Sequence, residues 1–365
     1  MVEPTLALRG DVAAAPTPVW TAIPRVVPGV VLLFAIGYAG KLLEHTINAT
    51  AKARGWTIPN IEYVLWAIVI GLVIGNVVKI PAVFRPGVDT YEFWLKTGIV
   101  LLGARFLLGD VLRLGAVSLV LVAIEIVVAI GFMTLLGRWF GLRPKMTSLL
   151  AVGSAVCGVS AIIATQGAIG ADDEDASVAI TAILVLGGLS LIVFPLVGHA
   201  LNLSDHAYGL WAGLGVDNTA EATAAGALYS DAAGKVAVLA KTTRNAMIGF
   251  VVLGYAAYWS SRGEAAAVGN RARFLWDKFP KFVLGFLLIS VLATVNVFSP
   301  DQLKSLGNLS RWAFLLTFAG VGLRTNLREL RALGLRPFAV GALGEIAIAV
   351  LTLGLVVGTE RLVGV

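Results

Sequence analysis

The chain has 365 residues, of which 58% are hydrophobic and only 14% are charged, and its formal net charge is +6. Because a soluble domain carries about 25% charged residues, this composition excludes an ordinary soluble enzyme or binding module and predicts an all-α polytopic membrane protein. Most lysines and arginines stand in short loops between apolar runs, where they set membrane topology, so no nucleic-acid partner is predicted.

Residues 1–25 contain four prolines and no apolar run followed by a cleavage site, which predicts a disordered cytoplasmic lead. The remainder, 26–365, is predicted to be one transmembrane domain, because apolar runs of roughly 17 to 25 residues recur, each long enough to cross a bilayer. About eleven spans are predicted: Val26–Leu43, Ile61–Val78, Phe93–Leu108, Ala116–Leu136, Met146–Ile169, Ala176–Val197, Ala207–Tyr229, Val236–Trp259, Phe282–Val297, Trp312–Arg324 and Pro337–Val357.

Lysine and arginine are about twice as frequent in one set of alternate loops as in the other. The positive-inside rule then puts the N-terminus in the cytoplasm. With an odd number of spans, the C-terminus is expected in the periplasm. The predicted location is the bacterial inner membrane, with the lipid bilayer as a partner.

A weak internal repeat aligns Gly103–Gly115 with Gly322–Gly334, and further on Glu125–Ile126 with Glu345–Ile346. The copies start seven predicted spans apart, so they enter the membrane from opposite sides. Inverted repeats of this kind are typical of secondary transporters, in which they generate one conformation open to each side. The alternative is chance similarity between short segments rich in leucine and glycine.

Small and hydroxyl residues crowd the middle of predicted span 5, around Cys157 and Gly158, with Ser154 and Ser160 close by. Glycine weakens a helix here, and hydroxyl groups can bond the freed backbone. A helix broken at this depth would direct N–H groups with partial positive charge towards the bilayer midplane, where they would bind an anion. The alternative is that small residues only allow close helix packing.

Predicted span 7 contains Asp217, Asn218, Thr219 and Glu221 within a few residues. Such polarity is unfavourable inside a membrane unless it faces a cavity or a partner, which indicates a second broken helix and a binding site. The alternative is an external loop.

Lys241, Arg244 and Asn245 share one face of predicted span 8. A buried arginine needs an anion, a carboxylate or water as a partner. If Asp217 or Glu221 is that partner, the cluster is a structural ion pair. Otherwise, Arg244 and Lys241 are expected to be ligands of an anionic substrate.

Glu125 and Glu345 lie at the middle of predicted spans 4 and 11. Burial favours the protonated form of a carboxyl group, so these two glutamates, together with Glu221, are candidates for ion coupling. The alternative pairs Glu125 and Glu345 with Arg105, Arg324 or a neighbouring hydroxyl to fix helix packing.

An enzyme is not predicted, because the chain has no HExxH pair, no GxSxG serine motif and no phosphate-binding loop. No cofactor is expected. The acidic run Asp172–Asp175 is predicted to start a helix in a solvated loop and not to bind a metal.

Four motifs in order, Gly98–Arg105, Val156–Ile162, Trp211 with Asp217, and Lys241–Asn245, resemble the YeiH family, whose members carry a provisional sulfate-exporter label. The resemblance covers residues from about Val26 to Val357. It implies a core domain beside a panel domain, with two crossed broken helices that spans 5 and 7 resemble.

The expected function is secondary transport that exports a small anion, sulfate or sulfonate-like, by alternating access driven by protons or Na⁺. The alternative is a sodium/proton antiporter. A homodimer would suit the superfamily that the resemblance implies.

The resemblance leaves two difficulties. The second copy of the repeat falls at the C-terminus with no broken helix after it, which requires a permuted repeat. Moreover, spans 5 and 7 would be parallel if both cross fully, whereas inversion requires them to be antiparallel. Either the boundaries around Leu203–Ser230 differ, or one of these elements is re-entrant.

Overall fold

The computed structural model describes residues 19–53, 63–78, 80–325 and 335–363. All regular secondary structure in these ranges is helical, which confirms the predicted all-α class. Val19–Arg25, the end of the predicted N-terminal lead, already belongs to the first helix. The rest of that lead, residues 1–18, lies outside the described ranges.

The helices are α1 (Val19–Ala53), α2 (Tyr63–Val77), α3 (Arg85–Val88), α4 (Tyr91–Leu102), α5 (Leu108–Trp139), α6 (Pro144–Ala155), α7 (Val159–Ile169), α8 (Asp173–Ala200), α9 (Asp205–Gly215), α10 (Thr219–Tyr229), α11 (Asp231–Ala246), α12 (Ile248–Ser261), α13 (Arg271–Lys278), α14 (Phe282–Thr294), α15 (Pro300–Arg324) and α16 (Leu335–Val363). A 3₁₀ turn, Gly103–Arg105, extends α4.

Five of the described helical stretches are long and apolar enough to cross a membrane. They are Pro24–Ile47, Ser118–Trp139, Asp173–Ala200, Asp231–Ser261 and Leu335–Thr359. The fourth combines α11 and α12. Among the described residues, α2, α7 and α14 are shorter apolar helices. The chain is therefore a multi-pass helical membrane protein.

The helices pack in two groups. The first group contains α1 to α4, α14 and α15, and α15 packs closely on α2, where Gly71 and Gly75 face the backbone of Ala319 and Leu323. The second group contains α5 to α13 and α16. Contacts between the groups are sparse and involve mainly α10 with α2 and α15, and α5 with α14. The molecule thus has an internal boundary along which two bodies meet.

The segment predicted as span 5 is a helical hairpin. The chain runs inward along α6, turns at Val156–Gly158 and returns along α7. Lys145, at the start of α6, donates a 2.9 Å hydrogen bond to the carbonyl of Gly170, just beyond the end of α7. Both ends of the hairpin therefore lie on the same side of the protein.

The segment predicted as span 7 is a second hairpin. α9 and α10 are joined by a turn at Val216–Asn218. The Ser230 hydroxyl, after α10, donates to Asp205 at the start of α9 over 2.7 Å. The rings of Tyr208 and Tyr229 stack with centroids 3.8 Å apart. The two ends of this second hairpin therefore also lie on the same side of the protein.

The two hairpins enter from opposite ends of α8. At the start of α8, Gln166 of the first hairpin donates to Asp173 over 2.7 Å. Near its end, Gly198 packs against Tyr208 and Tyr229 of the second hairpin. The hairpin tips meet beside Ile183, near the middle of α8, which fixes both tips at mid-depth.

The prediction that spans 5 and 7 cross the membrane is therefore wrong for both. The alternative allowed one re-entrant element, whereas both segments return to the side from which they enter. Each half-helix is too short to cross a bilayer, and its partner returns to the side of entry. Of the predicted repeat, residues 326–334 lie outside the described ranges. The aligned Glu125 and Glu345 are both buried, in α5 and α16, which pack together.

Candidate functional site

The hairpin tips are in direct contact. Gly158, in the first tip, has φ +69°, and a Cβ atom there would lie 3.2 Å from the Ile183 side chain and 3.4 Å from the Cα atom of Asn218 in the second tip. A side chain at this position would be strained by the backbone conformation and crowded by both neighbours. The sequence places a glycine at the point where the two hairpins touch.

Two cations from α11 bind the carbonyl ends of both inward half-helices. The Lys241 ammonium donates to the carbonyls of Val156 and Val216 over 3.0 and 2.7 Å. Arg244 donates through Nε to the carbonyl of Ala155 over 3.0 Å and through Nη1 to that of Leu214 over 2.6 Å.

A further Arg244 bond joins Nη2 to the carbonyl of Ser154. Both cationic side chains are completely buried. They satisfy the last carbonyl groups of α6 and α9 and neutralise the partial negative charge at those helix ends. In this arrangement the two side chains are directed at the backbone of the tips and do not line the cavity described below.

The carboxylate partner of Arg244 is Glu125, with an Nη2–Oε1 distance of 3.0 Å, and Asp217 lies farther away, at 3.8 Å. Glu221, the other predicted partner, forms no ion pair with Arg244 among the described residues. The predicted pairing with Asp217 is therefore present, at the longer distance, and the sequence missed the closer partner, because Glu125 comes from a helix distant in the chain.

The alternative prediction paired Glu125 and Glu345 with an arginine or with a neighbouring hydroxyl, and it is correct only for the hydroxyl partner of Glu345. Arg105 pairs with Asp231 over 3.3 Å, and Arg324 pairs with Asp89, so neither arginine reaches Glu125 or Glu345. Glu345 instead accepts a 2.9 Å hydrogen bond from the hydroxyl of Ser190, in agreement with the predicted hydroxyl partner.

Buried acidic groups outnumber buried cations at the tips. Glu125, Asp217, Glu221 and Glu345 are each at most 7% exposed, and they face Lys241 and Arg244. Within the described ranges, both Asp217 oxygens and one oxygen of each glutamate have no hydrogen-bond partner. An unpaired buried carboxylate is strongly unfavourable. Two of the four carboxyl groups therefore need a proton or a bound cation.

The outward half-helices α7 and α10 begin at a cavity of about 400 Å³ on the boundary between the two helix groups. From the tips and α11, the cavity is lined by Cys157, Val159, Ser160, Asn218, Thr219 and Asn245. The first N–H groups of a helix have no intrahelical acceptor and carry partial positive charge, so two such ends at one cavity favour an anion.

Polar side chains hold the second helix start in place. The Asn218 side chain accepts from the backbone N–H of Ala220 over 3.1 Å and caps α10. The Asn245 side chain donates to the Thr219 hydroxyl over 3.0 Å. Ser160 is exposed to the cavity at the start of α7. Hydroxyl, amide and N–H groups thus converge on the same space.

Cations that the sequence did not single out stand on the other walls. Lys96, Lys278 and Lys281 line the cavity, with Glu92 and Asp277 among them. Glu92 is paired with Lys96 over 3.2 Å. In the sequence these lysines are indistinguishable from loop cations that set topology. Only the folding of α13 and α14 against α4 and α12 brings them to the tips.

The structure thus separates the predicted site residues into two layers. Cys157, Gly158, Ser160, Asn218, Thr219 and Asn245 lie at or beside the cavity. Ser154, Asp217, Lys241, Arg244, Glu125, Glu221 and Glu345 are buried in and behind the tips. The acidic run Asp172–Asp175 starts α8, as predicted, and Asp175 pairs with Arg143 over 2.6 Å.

Comparison with known proteins places the chain in a family. Residues 28–341 match the family described as conserved hypothetical protein 698. A UPF0324 membrane protein of Nitratidesulfovibrio vulgaris is 37% identical over 324 residues, which cover 88% of this chain and 89% of the relative.

A UPF0324 membrane protein of Streptococcus agalactiae serotype V is 30% identical over 345 residues, or 91% of this chain and 98% of the relative. One from Rhodopirellula baltica is 37% identical, with 80% of this chain covering 57% of the relative. The chain therefore belongs to the conserved hypothetical protein 698 family of UPF0324 membrane proteins, to which the YeiH family of the sequence motifs corresponds.

Proposed function

We propose that this protein is a secondary transporter that exports a small anion, sulfate or sulfonate-like, across the bacterial inner membrane by alternating access. The observation that carries the proposal is the convergence of two half-helix N-termini, those of α7 and α10, on one cavity at mid-depth. Discontinuous helices that point positive ends at an anion are a recurrent way of binding anions inside membranes.

The charge distribution supports an anion over a cation in the cavity. Lys241 and Arg244 neutralise the carbonyl ends of α6 and α9, behind the tips, while the N–H ends of α7 and α10 face the cavity. Cavity-lining lysines outnumber the acidic residues there by three to two. Arg244 and Lys241 are thus proposed to act by positioning the tips and not as direct ligands.

The two helix groups support alternating access. The proposed substrate cavity is open towards the end of the protein where α12 connects to α14. At the opposite end, a separate cavity between the groups has a volume of only about 50 Å³, and Arg105 of the first group pairs there with Asp231 of the second. Such asymmetry is expected for one of the two end states of alternating access, in which the helix groups are apart on one side of the membrane and in contact on the other.

In this proposal the second helix group is the core and the first is the panel. The two hairpins replace the crossed broken helices and, because they enter from opposite sides, they satisfy the antiparallel relation that an inverted repeat requires. The N-terminus is cytoplasmic by loop charge, and the cavity opens towards the same side.

Ion coupling is assigned to the buried carboxyl groups. With four carboxyl groups and two cations at the tips, the described site is neutral only when two protons or cations are bound. Asp217 and Glu345 are the best placed, because Asp217 lies in the second tip and neither carboxyl group forms an ion pair closer than 3.8 Å within the described residues.

The test uses the full chain in liposomes. Sulfate and a simple sulfonate are loaded inside, and efflux is measured with and without a proton or Na⁺ gradient. Thr219→Val and Ser160→Ala remove cavity hydroxyls, and we expect each to raise the half-saturating anion concentration about tenfold, the effect of losing one hydrogen bond to a charged group. Thr243→Val is the matched control, because the Thr243 hydroxyl bonds Leu239 within α11.

The alternative function, a sodium/proton antiporter, is favoured by the excess of buried carboxyl groups. It is tested in the same vesicles without any anionic substrate. Proton movement driven by Na⁺ alone, unaffected by Thr219→Val, would refute anion transport and assign the carboxyl groups to cation exchange. Anion efflux that requires the hydroxyls would refute the antiporter.

A further inference from the structure

A cavity distinct from the proposed substrate site lies between α5, α12 and the beginning of the first hairpin. Its volume is about 550 Å³. Arg138 and Arg262 line one end of it, and Ile130 and Val251 line the other. The lining is polar at one end and apolar at the other, which is the chemistry of an amphipathic ligand.

The polar end coincides with the limit of two membrane spans. Arg138 and Trp139 end the span in α5, and Arg262 directly follows the span that ends at Ser261. Within the described ranges, neither arginine has an acidic side chain within ion-pair distance, while Arg262 lies over the Tyr258 ring at 4.6 Å. Two guanidinium groups without acidic partners at the level of the lipid headgroups are suited to bind a phosphate.

The apolar end reaches into the depth of the membrane. Ile130 lies about 12 Å deeper along α5 than Arg138, and Val251 lies about 16 Å deeper than Arg262 along α12, at 1.5 Å per residue. A free phosphate would use only the mouth of such a cavity. A ligand with a phosphate at the boundary and a hydrocarbon chain below it would fill the whole length.

We propose that this cavity binds an anionic phospholipid, with the phosphate between Arg138 and Arg262 and one acyl chain between α5 and α12. The side of the protein supports this assignment. Lys145 and the segment after α12 lie at this end, where Lys145 donates to the carbonyl of Glu264 over 3.4 Å. By the positive-inside rule this is the cytoplasmic leaflet, where basic pockets between helices bind anionic headgroups.

The lipid would contact the first hairpin at its entry. Pro144, Thr147 and Ser148 form the first turns of α6 and one wall of the cavity, and Trp259 of α12 donates to the Ser148 hydroxyl over 3.3 Å. A bound lipid therefore packs on the hairpin where it enters the membrane, and it stabilises the arrangement of α6 and α12.

The experiment measures the melting temperature of the detergent-purified full chain with added lipid. Phosphatidylglycerol is expected to raise it, phosphatidylcholine with the same chains to raise it much less, and glycerol phosphate to leave it unchanged. Arg138→Gln/Arg262→Gln is expected to raise the phosphatidylglycerol concentration that gives half of the shift at least about tenfold. The control is Arg271→Gln/Arg273→Gln, which removes two exposed charges of α13 outside the cavity.

A second variant keeps the test decisive if the arginine variant is unstable. Gly254 lines the cavity, and a Cβ atom at this position would meet nothing within 4 Å. Gly254→Leu should therefore fold, occupy the apolar end and abolish the lipid shift while both arginines remain. A phosphatidylglycerol shift retained in both variants would overturn the proposal. So would a shift with glycerol phosphate, which needs no chain, or a change from dimer to monomer in Gly254→Leu, which would assign the cavity to a second copy.

Discussion

Removal of Arg244 tests whether this residue positions the hairpin tips or binds substrate. Arg244→Ala leaves the carbonyls of Ala155 and Leu214 and the Glu125 carboxylate without their donors, all of them buried. Breaking a buried ion pair by removal of one partner costs about 3 to 5 kcal/mol. Each carbonyl left unsatisfied adds about 1 to 3 kcal/mol. The total approaches the whole stability of an ordinary domain, about 5 to 15 kcal/mol.

We therefore expect Arg244→Ala to lower the melting temperature sharply in detergent and to reduce the yield of folded protein. Arg244→Ala/Glu125→Ala is expected to be less destabilised than the sum of the two single variants, because Glu125 is then not left as a buried carboxylate without its cation. Arg271→Ala, at an exposed position, is the matched control. A fully stable Arg244→Ala protein that has lost only transport would refute the positioning role and make Arg244 a direct ligand, as the sequence suggested.

Three further predictions concern the tips and the boundary between the groups. Gly158→Ala is expected to destabilise the protein by about 1 to 3 kcal/mol, because φ is +69° and the Ile183 side chain is close. The control is Gly131→Ala, where a Cβ atom meets nothing within 4 Å, and equal melting temperatures of the two variants would contradict the expectation. Asp217→Asn removes one buried carboxyl group, so fewer protons should accompany each anion in vesicles containing a pH dye; an unchanged ratio would exclude Asp217 from coupling. Arg105→Gln removes a partly exposed ion pair that contributes at most about 1 kcal/mol to the state closed at that end and open at the Cys157 cavity. This state should become less populated, so maleimide labelling of Cys157 should slow by up to about fivefold. Unchanged labelling would show that the pair does not bias the two states.

The sequence predicted the helical class, the position of both tips and most of the residues at them. It did so because Gly158, Asp217 and Arg244 are unfavourable in an ordinary membrane helix, so that each required a special local structure. It could not distinguish a hairpin from a crossing helix. A hairpin of two short helices has the same apolar length as one crossing helix, and only distant contacts such as Lys145 with Gly170 separate the two.

Loop charge could not correct this error. The loop between α7 and α8 is acidic, and the positive-inside rule counts only lysine and arginine, so its side was not determined. In the structure Asp175 pairs with Arg143, which places this loop on the basic side. The cavity lysines were missed for a related reason, since their role depends on packing between helices far apart in the chain.

One helix, α11, holds both tips, and this restricts which parts can move in the proposed transport cycle. Lys241 bonds one carbonyl from each tip, and Arg244, one turn further on, bonds two carbonyls from each tip. These six buried bonds resist relative movement of the tips, whereas the boundary between the helix groups is sparsely packed and closed at one end by the exposed pair of Arg105 and Asp231. The helix groups are therefore expected to move as bodies.

A cross-link at that closed end tests this conclusion. In a Cys157→Ser background, Arg105→Cys/Asp231→Cys joined by a cleavable thiol reagent should stop anion efflux, and cleavage should restore it, because the groups can then separate. The control pair, Asp301→Cys/Ser305→Cys, lies on an exposed turn within α15 and should leave efflux unchanged when joined. Continued efflux with the Arg105 and Asp231 positions linked would mean that transport proceeds without separation of the groups at this end, and the movement would then have to occur within the tips themselves.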